Sequence, residues 1–157
     1  MAALTDTSLY TNQVAGAADA SERPTRNPAN ATGGTLKCLI ASYTTTGSEA
    51  ANDTFNLCRL PKGAIVSRAT SSVSCVDPGT TLTLDIGTSS NADVYADGIV
   101  LSSGGTITFG SAVAGTAADL APAATTDNTT VIVTIASANT VTASTVLYFT
   151  VAYWDFN

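Results

Sequence analysis

The 157-residue sequence contains no histidine and only two glutamates, and charged residues of all kinds make up 11% of the chain. Without histidine, a Ser-His-Asp or Cys-His catalytic arrangement is impossible, and the commonest general base is missing. A carboxylate pair for acid-base catalysis would have to come mainly from aspartates. We therefore predict that the protein is not an enzyme, has no catalytic residues and needs no cofactor.

The sequence also offers little for binding a metal ion. Asp93 and Asp97 are four residues apart and would share one face of a strand, where they could hold calcium. They lack the Asp-x-Asp-x-Asp-Gly loop that a strong calcium site requires. We interpret them as a solvated strand edge and predict no metal site.

Long apolar runs and basic clusters are absent as well. No run approaches 18 apolar residues, so we expect no membrane partner. The start, MAALTDTSLYTNQ, has neither the basic nor the apolar region of a signal peptide, so we expect synthesis in a cytoplasm. The net charge of −6 argues against nucleic acid, whose binding depends on Lys and Arg.

The few charges are unevenly distributed along the chain. All six basic residues lie before residue 69, and every charged residue after that position is acidic. One interpretation is simple solubility of an acidic surface. The other is that the acidic part complements a basic partner surface.

From Thr35 onward the chain consists of strand-like runs separated by turn signals. Thr81–Ile86 alternates cleanly, with Leu82, Leu84 and Ile86 predicted to point inward. The pattern predicts an all-β fold, an antiparallel β-sandwich of jelly-roll type with about eight strands. The predicted strands lie near residues 35–43, 53–60, 64–76, 80–86, 94–101, 105–109, 129–136 and 144–154.

Glycine-containing turns separate several of these runs. Leu60-Pro61-Lys62-Gly63 predicts a hairpin turn, and Gly104-Gly105 predicts another. Asp77-Pro78-Gly79 is also a strong turn signal, because proline fixes one dihedral angle and glycine supplies a positive one. Residues 111–128 are expected to form a long loop or a short helix across one end of the sandwich.

Residues 1–34 differ from the rest of the chain. They show no sustained period, and Pro24 and Pro28 oppose regular helix. We therefore divide the chain into an extended N-terminal arm, 1–34, and a β-sandwich domain, 35–157. The arm is either a disordered tail or a segment that becomes ordered on a partner, with Leu9 and Tyr10 as its apolar anchor.

The last predicted strand is apolar on both faces, and it includes Tyr148, Tyr153 and Trp154. Such a strand is covered on both sides, either by the core alone or by the core and another subunit. The three cysteines lie in strand-like runs and are expected to be buried free thiols, although one disulfide with a thiol left over stays open.

Three segments of the sequence carry a family resemblance: Leu60–Ala64, Leu82–Gly87 and Ala92–Gly98. In this order they resemble small head-associated proteins of tailed phages, most clearly over residues 55–100 and less so over 35–155. The resemblance implies a virion protein made in the host cytoplasm. It would be a decoration or cement protein that docks on the outside of the major capsid protein shell, often as a homotrimer.

On this hypothesis two sets of residues bind partners. The arm would bind the major capsid protein through Leu9, Tyr10, Arg23 and Arg26, and Tyr148, Tyr153 and Trp154 would form the subunit interface. The alternative function is a receptor-binding or tail-fibre-type β module. The predicted loops TTTGSEAAND and TSSNAD disfavour this alternative, because they contain no aromatic residue and few charges for contacting a glycan.

Overall fold

The structure, a computed structural model, describes residues 35–112, 124–138 and 141–155. The predicted arm, with Leu9, Tyr10, Arg23 and Arg26, lies outside the described residues, as does much of the predicted loop at 111–128. The division of the chain at residue 34 therefore stays a prediction. No helix in the described part of the chain combines the length and hydrophobicity that a membrane span requires.

The described residues form nine strands and one short 3-10 turn, Phe109–Ser111. The strands are β1 (Thr35–Thr44), β2 (Thr54–Leu60), β3 (Ile65–Val66), β4 (Ser72–Cys75), β5 (Leu82–Gly87), β6 (Ala96–Leu101), β7 (Gly105–Thr108), β8 (Thr129–Ala138) and β9 (Val146–Asp155). The all-β prediction is confirmed, and the predicted run at 64–76 is divided into β3 and β4.

The strands form two antiparallel sheets. One has the order β1-β9-β4-β7, with β3 beside the end of β9, and the other has the order β2-β8-β5-β6. Apart from β3, the pairs are nested: β1 with β9, β2 with β8, β4 with β7, and β5 with β6. Nested pairing of eight strands in two sheets is the jelly-roll topology, as the strand number predicted.

The predicted hairpins at Gly63 and Gly104 are wrong, although both turns exist. Gly63, Gly79 and Gly104 have φ angles of 83°, 77° and 72°, the left-handed conformation that glycine tolerates. Each turn carries the chain from one sheet to the other, since β2 and β3, β4 and β5, and β6 and β7 lie in different sheets. A turn motif specifies a reversal of direction, whereas long-range pairing decides which sheet the chain enters.

The core lies between the sheets and is filled by alternate residues of the strands. Leu82, Leu84 and Ile86 are at most 1% exposed, which confirms the predicted alternation in β5. The rings of Tyr43 and Phe55 are stacked with their centroids 4.2 Å apart. Phe55 also meets Phe149 edge to face at 5.9 Å. These contacts join β1 and β9 of one sheet to β2 of the other.

Strand alternation alone would put Arg59 on the same side of β2 as Phe55 and Leu57, but a β-bulge changes its orientation. The pairing of β2 with β8 shifts between Asn56 and Cys58, so Leu57 and Cys58 are both buried. Arg59 therefore points away from the core, not to the same side as Phe55 and Leu57.

Two of the three cysteines match the prediction, and one does not. Cys58 and Cys75 are buried free thiols, and burial raises the pKa of Cys58 to about 12. Cys38 is also a free thiol, but it is exposed, because its position in β1 alternates with the core-facing residues.

The loop between β1 and β2 contains a buried carboxylate, that of Glu49. The Glu49 side chain accepts hydrogen bonds from the Tyr43 hydroxyl at 3.0 Å, from the Thr46 hydroxyl at 3.0 Å and from the Gly47 N–H at 2.9 Å. Burial acts to raise the pKa of Glu49, but hydrogen bonds, led by that from the Thr46 backbone, hold it below its usual value. The carboxylate thus organises the crossing between the sheets.

Candidate interaction face

The outer side of the five-stranded sheet carries no charged residue on its described strands. Tyr43 of β1 and Phe149 of β9 face the core, so the residues that alternate with them face outward. We call this side the uncharged face. Its residues are Leu36, Cys38, Ile40, Ser42, Thr44, Ile65, Ser72, Ser74, Thr106, Thr108, Val146, Tyr148, Thr150, Ala152 and Trp154.

Large apolar side chains on this face are open to solvent. Leu36, Ile40, Tyr148 and Trp154 are 44%, 69%, 54% and 40% exposed. Among the described residues only Val76 and Val100 are other large hydrophobic side chains exposed to a similar degree. Exposed apolar side chains that cluster on one surface mark an interaction site, whereas isolated ones do not.

The strand register divides the uncharged face into two halves. Trp154 of β9 lies opposite Leu36 of β1 on one side and Ile65 of β3 on the other, so three apolar side chains adjoin. We call the outward residues of β1, β3 and β9 the large half. The small half, on β4 and β7, consists of Ser72, Ser74, Thr106 and Thr108.

Tyr148 stands at the boundary between the two halves. It is paired with Ser42 of β1 on one side and with Ser74 of β4 on the other. The ring is thus flanked by two short side chains and projects above them. An aromatic ring that projects between small residues supplies a large contact area with a polar tip, as anchors in protein interfaces do.

The outer side of the four-stranded sheet, which we call the charged face, is different. It carries Arg59 on β2, Asp85 on β5 and Asp97 on β6. The Gly98 N–H donates to Asp85 at 2.8 Å. Burial, reinforced by the negative charges of Asp97 and Asp93, nevertheless raises the pKa of Asp85. This side therefore has the charge that suits contact with water.

The structure separates the residues predicted for the subunit interface. Tyr148 and Trp154 lie on the uncharged face, but Tyr153 is only 4% exposed and packs in the core of its own chain. The prediction for Tyr153 is corrected by the alternation of β9, which points Tyr153 and Trp154 to opposite sides.

Leu36 and Ile40 were not predicted as interface residues from the sequence. Both lie in the run TLKCLIASY, where apolar residues occupy inward and outward positions, as they do in β9. That double pattern was the signal that could have located them.

The described residues were found to contain no cluster of potential metal ligands. No group of three or more His, Cys, Asp or Glu side chains in them could hold a metal ion. A cleft of about 470 Å³ lies at one end of the sandwich, between residues 88–95 and 124–130. The described residues that line it contribute hydroxyl, amide and apolar groups, and among them only the buried Tyr95 has an ionisable side chain.

Comparison with known proteins finds similarity in structure only. No family model matches the sequence, and no curated protein matches it. A chain from the capsid of Ralstonia phage GP4 is similar with a TM-score of 0.64 and 17% identity, over 98% of this chain and 98% of that one. This similarity supports the fold described above over nearly the whole length of both chains.

Two other solved structures are similar at lower scores. A chain of the cyanophage Pam1 capsid asymmetric unit has a TM-score of 0.47 and 23% identity, covering 86% of this chain and 95% of that one. A chain of the acid-stable capsid of Helicobacter pylori bacteriophage KHP30 has a TM-score of 0.45 and 19% identity, covering 78% and 90%.

Proposed function

We propose that this chain is a structural protein of a phage virion that decorates the outer surface of the head and stabilises it. The observation that carries the proposal is the similarity of fold to a chain of the Ralstonia phage GP4 capsid over 98% of both chains. The family resemblance of residues 55–100 supports the same function independently of the structure.

A decoration protein works by adhesion and needs no catalytic site. The jelly roll supplies a stiff body, since its strands are paired within two sheets joined by a hydrophobic core. Many identical contacts on a symmetric shell add through avidity, so each one can be weak. Uncharged contact surfaces are then sufficient for stable attachment.

In this proposal the arm binds the major capsid protein. Residue 34 is followed directly by Thr35, the first residue of β1, so the arm joins the body at the border of the uncharged face. Leu9 and Tyr10 provide an apolar anchor, and Arg23 and Arg26 provide positive charge in an otherwise acidic chain. An extended arm can add a strand to a neighbouring sheet.

The body contributes the contacts between copies. Tyr148 and Trp154 are the exposed aromatic residues of the uncharged face that can make these contacts. We propose a homotrimer as the docked unit, in line with the family resemblance.

Binding of the purified full-length protein to phage heads from which it has been removed tests the proposal. We expect saturable binding and a higher melting temperature of the decorated heads. Arg26→Glu should weaken binding, because it reverses a charge in the arm. Lys62→Glu, the same reversal at an exposed turn of the body, should not. Failure of excess protein to bind stripped heads would refute the proposed function.

The cleft between residues 88–95 and 124–130 favours one alternative, a receptor-binding or tail-fibre-type module. Its hydroxyl and amide groups could form hydrogen bonds to a neutral sugar. It lacks an exposed aromatic ring for stacking on that sugar, since Tyr95 is 4% exposed. Specific binding on a glycan array, together with no binding to heads, would favour this alternative.

A further inference from the structure

We infer that the uncharged face is covered by a second copy of this chain, with the large half of one copy packed against the small half of the next. The inference rests on the oligomer proposed above and specifies its interface. It extends that interface from two aromatic residues on β9 to a surface that includes β1, β3, β4 and β7.

Charge favours a like copy on the uncharged face. The chain has a net charge of −6, so two copies repel each other. The charged face presents two aspartates, Asp85 and Asp97, against one arginine, Arg59, so it would repel its equivalent in a like copy. The uncharged face brings no such repulsion, and contact over it leaves no charge buried without a partner.

The two halves of the uncharged face also differ in shape. The large half projects Ile40, Tyr148 and Trp154, whereas the small half presents only serine and threonine. Large side chains of one copy therefore have a shallow surface to fill on the next.

The size of the uncharged face can be compared with that of a stable interface. β1 and β9 are ten residues each, which corresponds to about 34 Å of strand. β4 and β7 are four residues each, which corresponds to about 14 Å. With neighbouring strands roughly 4.8 Å apart, the face has a footprint on the order of 300 Å². A stable interface buries about 800 Å² per partner, so this face supplies roughly a third of what one contact needs.

Sedimentation equilibrium of the full-length protein tests the inference with two variants of equal net charge. Ile40→Glu places a carboxylate in the middle of β1, on the uncharged face. Val100→Glu places one at a 47% exposed position on β6, on the opposite side of the sandwich. We expect the wild-type chain to associate, Ile40→Glu to raise the dissociation constant roughly tenfold or more, and Val100→Glu to leave it unchanged.

Cys38 provides a second readout that needs no variant. It lies between Leu36 and Ile40 on the uncharged face, and it is exposed in the isolated chain, whereas Cys58 and Cys75 are buried. We expect its labelling by a maleimide to slow as protein concentration rises through the association range. Circular dichroism of dilute protein checks folding, and Tyr148→Glu replaces Ile40→Glu if that variant does not fold.

The outcomes separate this inference from the proposed function. A wild-type chain that is monomeric at all concentrations, or equal effects of the two glutamate variants, would overturn the inference. If a monomeric chain binds heads and Ile40→Glu abolishes that binding, the capsid protein occupies the face, and only the inference is lost. If the chain associates as expected but never binds heads, the inference stands and the proposed function is lost.

Discussion

The two outer faces of this jelly roll are built from the same kind of strand but carry opposite chemistry. On the five-stranded sheet the outward residues are uncharged, and Ile40 and Tyr148 are more than half exposed. On the four-stranded sheet they include Arg59, Asp85 and Asp97. The fold requires only that the inner sides be apolar, so it does not itself account for the difference between the outer sides.

The largest expected effect separates the two sides of β9. Phe149 is fully buried and contacts Phe55 across the sandwich, so Phe149→Ala should lower the free energy of unfolding by about 3–5 kcal/mol. Tyr148, the preceding residue, faces outward. Tyr148→Ala should change the free energy of unfolding of the dissociated chain by no more than about 0.5 kcal/mol. Urea denaturation at low protein concentration measures both values. A similar loss in both variants would mean that the chain itself covers the uncharged face.

The sequence predicted the inner sides of the sheets better than their connections. Leu82, Leu84 and Ile86 could be assigned from alternation alone, because burial of one side leaves a two-residue period. The turns at Gly63 and Gly104 were recognised, but the change of sheet was not. That choice depends on pairing with β8 and β9, which are far away in sequence, and no local motif encodes it.

The candidate face was only partly predictable for a related reason. An apolar run such as that in β9 predicts that both sides are covered, but it does not show which residues point to which side. Tyr153 and Trp154 were assigned together, and the structure places only Trp154 outside. The bulge at Leu57 similarly turned Arg59 outward, because one extra residue reverses the alternation.

A second prediction concerns the loop between β1 and β2, which connects the two sheets. Glu49→Ala removes the acceptor for the Tyr43 hydroxyl and for the N–H groups of Thr46 and Gly47. Leaving the buried Tyr43 hydroxyl and the two partly buried N–H groups unsatisfied should lower the free energy of unfolding by about 1–3 kcal/mol. Glu49→Gln retains one acceptor oxygen and should lose less.

The pH dependence distinguishes a role of the Glu49 charge from one of shape alone. Because the pKa of Glu49 is lowered in the folded chain, the stabilisation from its carboxylate is complete above the pKa of the unfolded chain. It is lost as pH falls through the folded value. The stability difference between wild type and Glu49→Gln should therefore shrink in acid. A difference that stays constant with pH would show that the charge contributes nothing.

The smallest expected effect lies on the charged face, at Asp85. Because the pKa of this carboxyl is raised in the folded chain, ionisation at neutral pH opposes folding, and below the pKa of the unfolded chain the penalty is absent. Asp85→Asn keeps an oxygen for the Gly98 N–H and should stabilise the chain at pH 7 by about 0.2–0.5 kcal/mol, since the site is partly solvated. The gain should disappear as pH falls through the window between the raised value and the ordinary one. Melting temperatures of both chains from pH 3 to pH 7 measure it, with Asp127→Asn in an exposed turn as the control. Equal gains in stability from Asp85→Asn and Asp127→Asn would show that the effect comes from the lower net charge of the chain and not from the burial of Asp85.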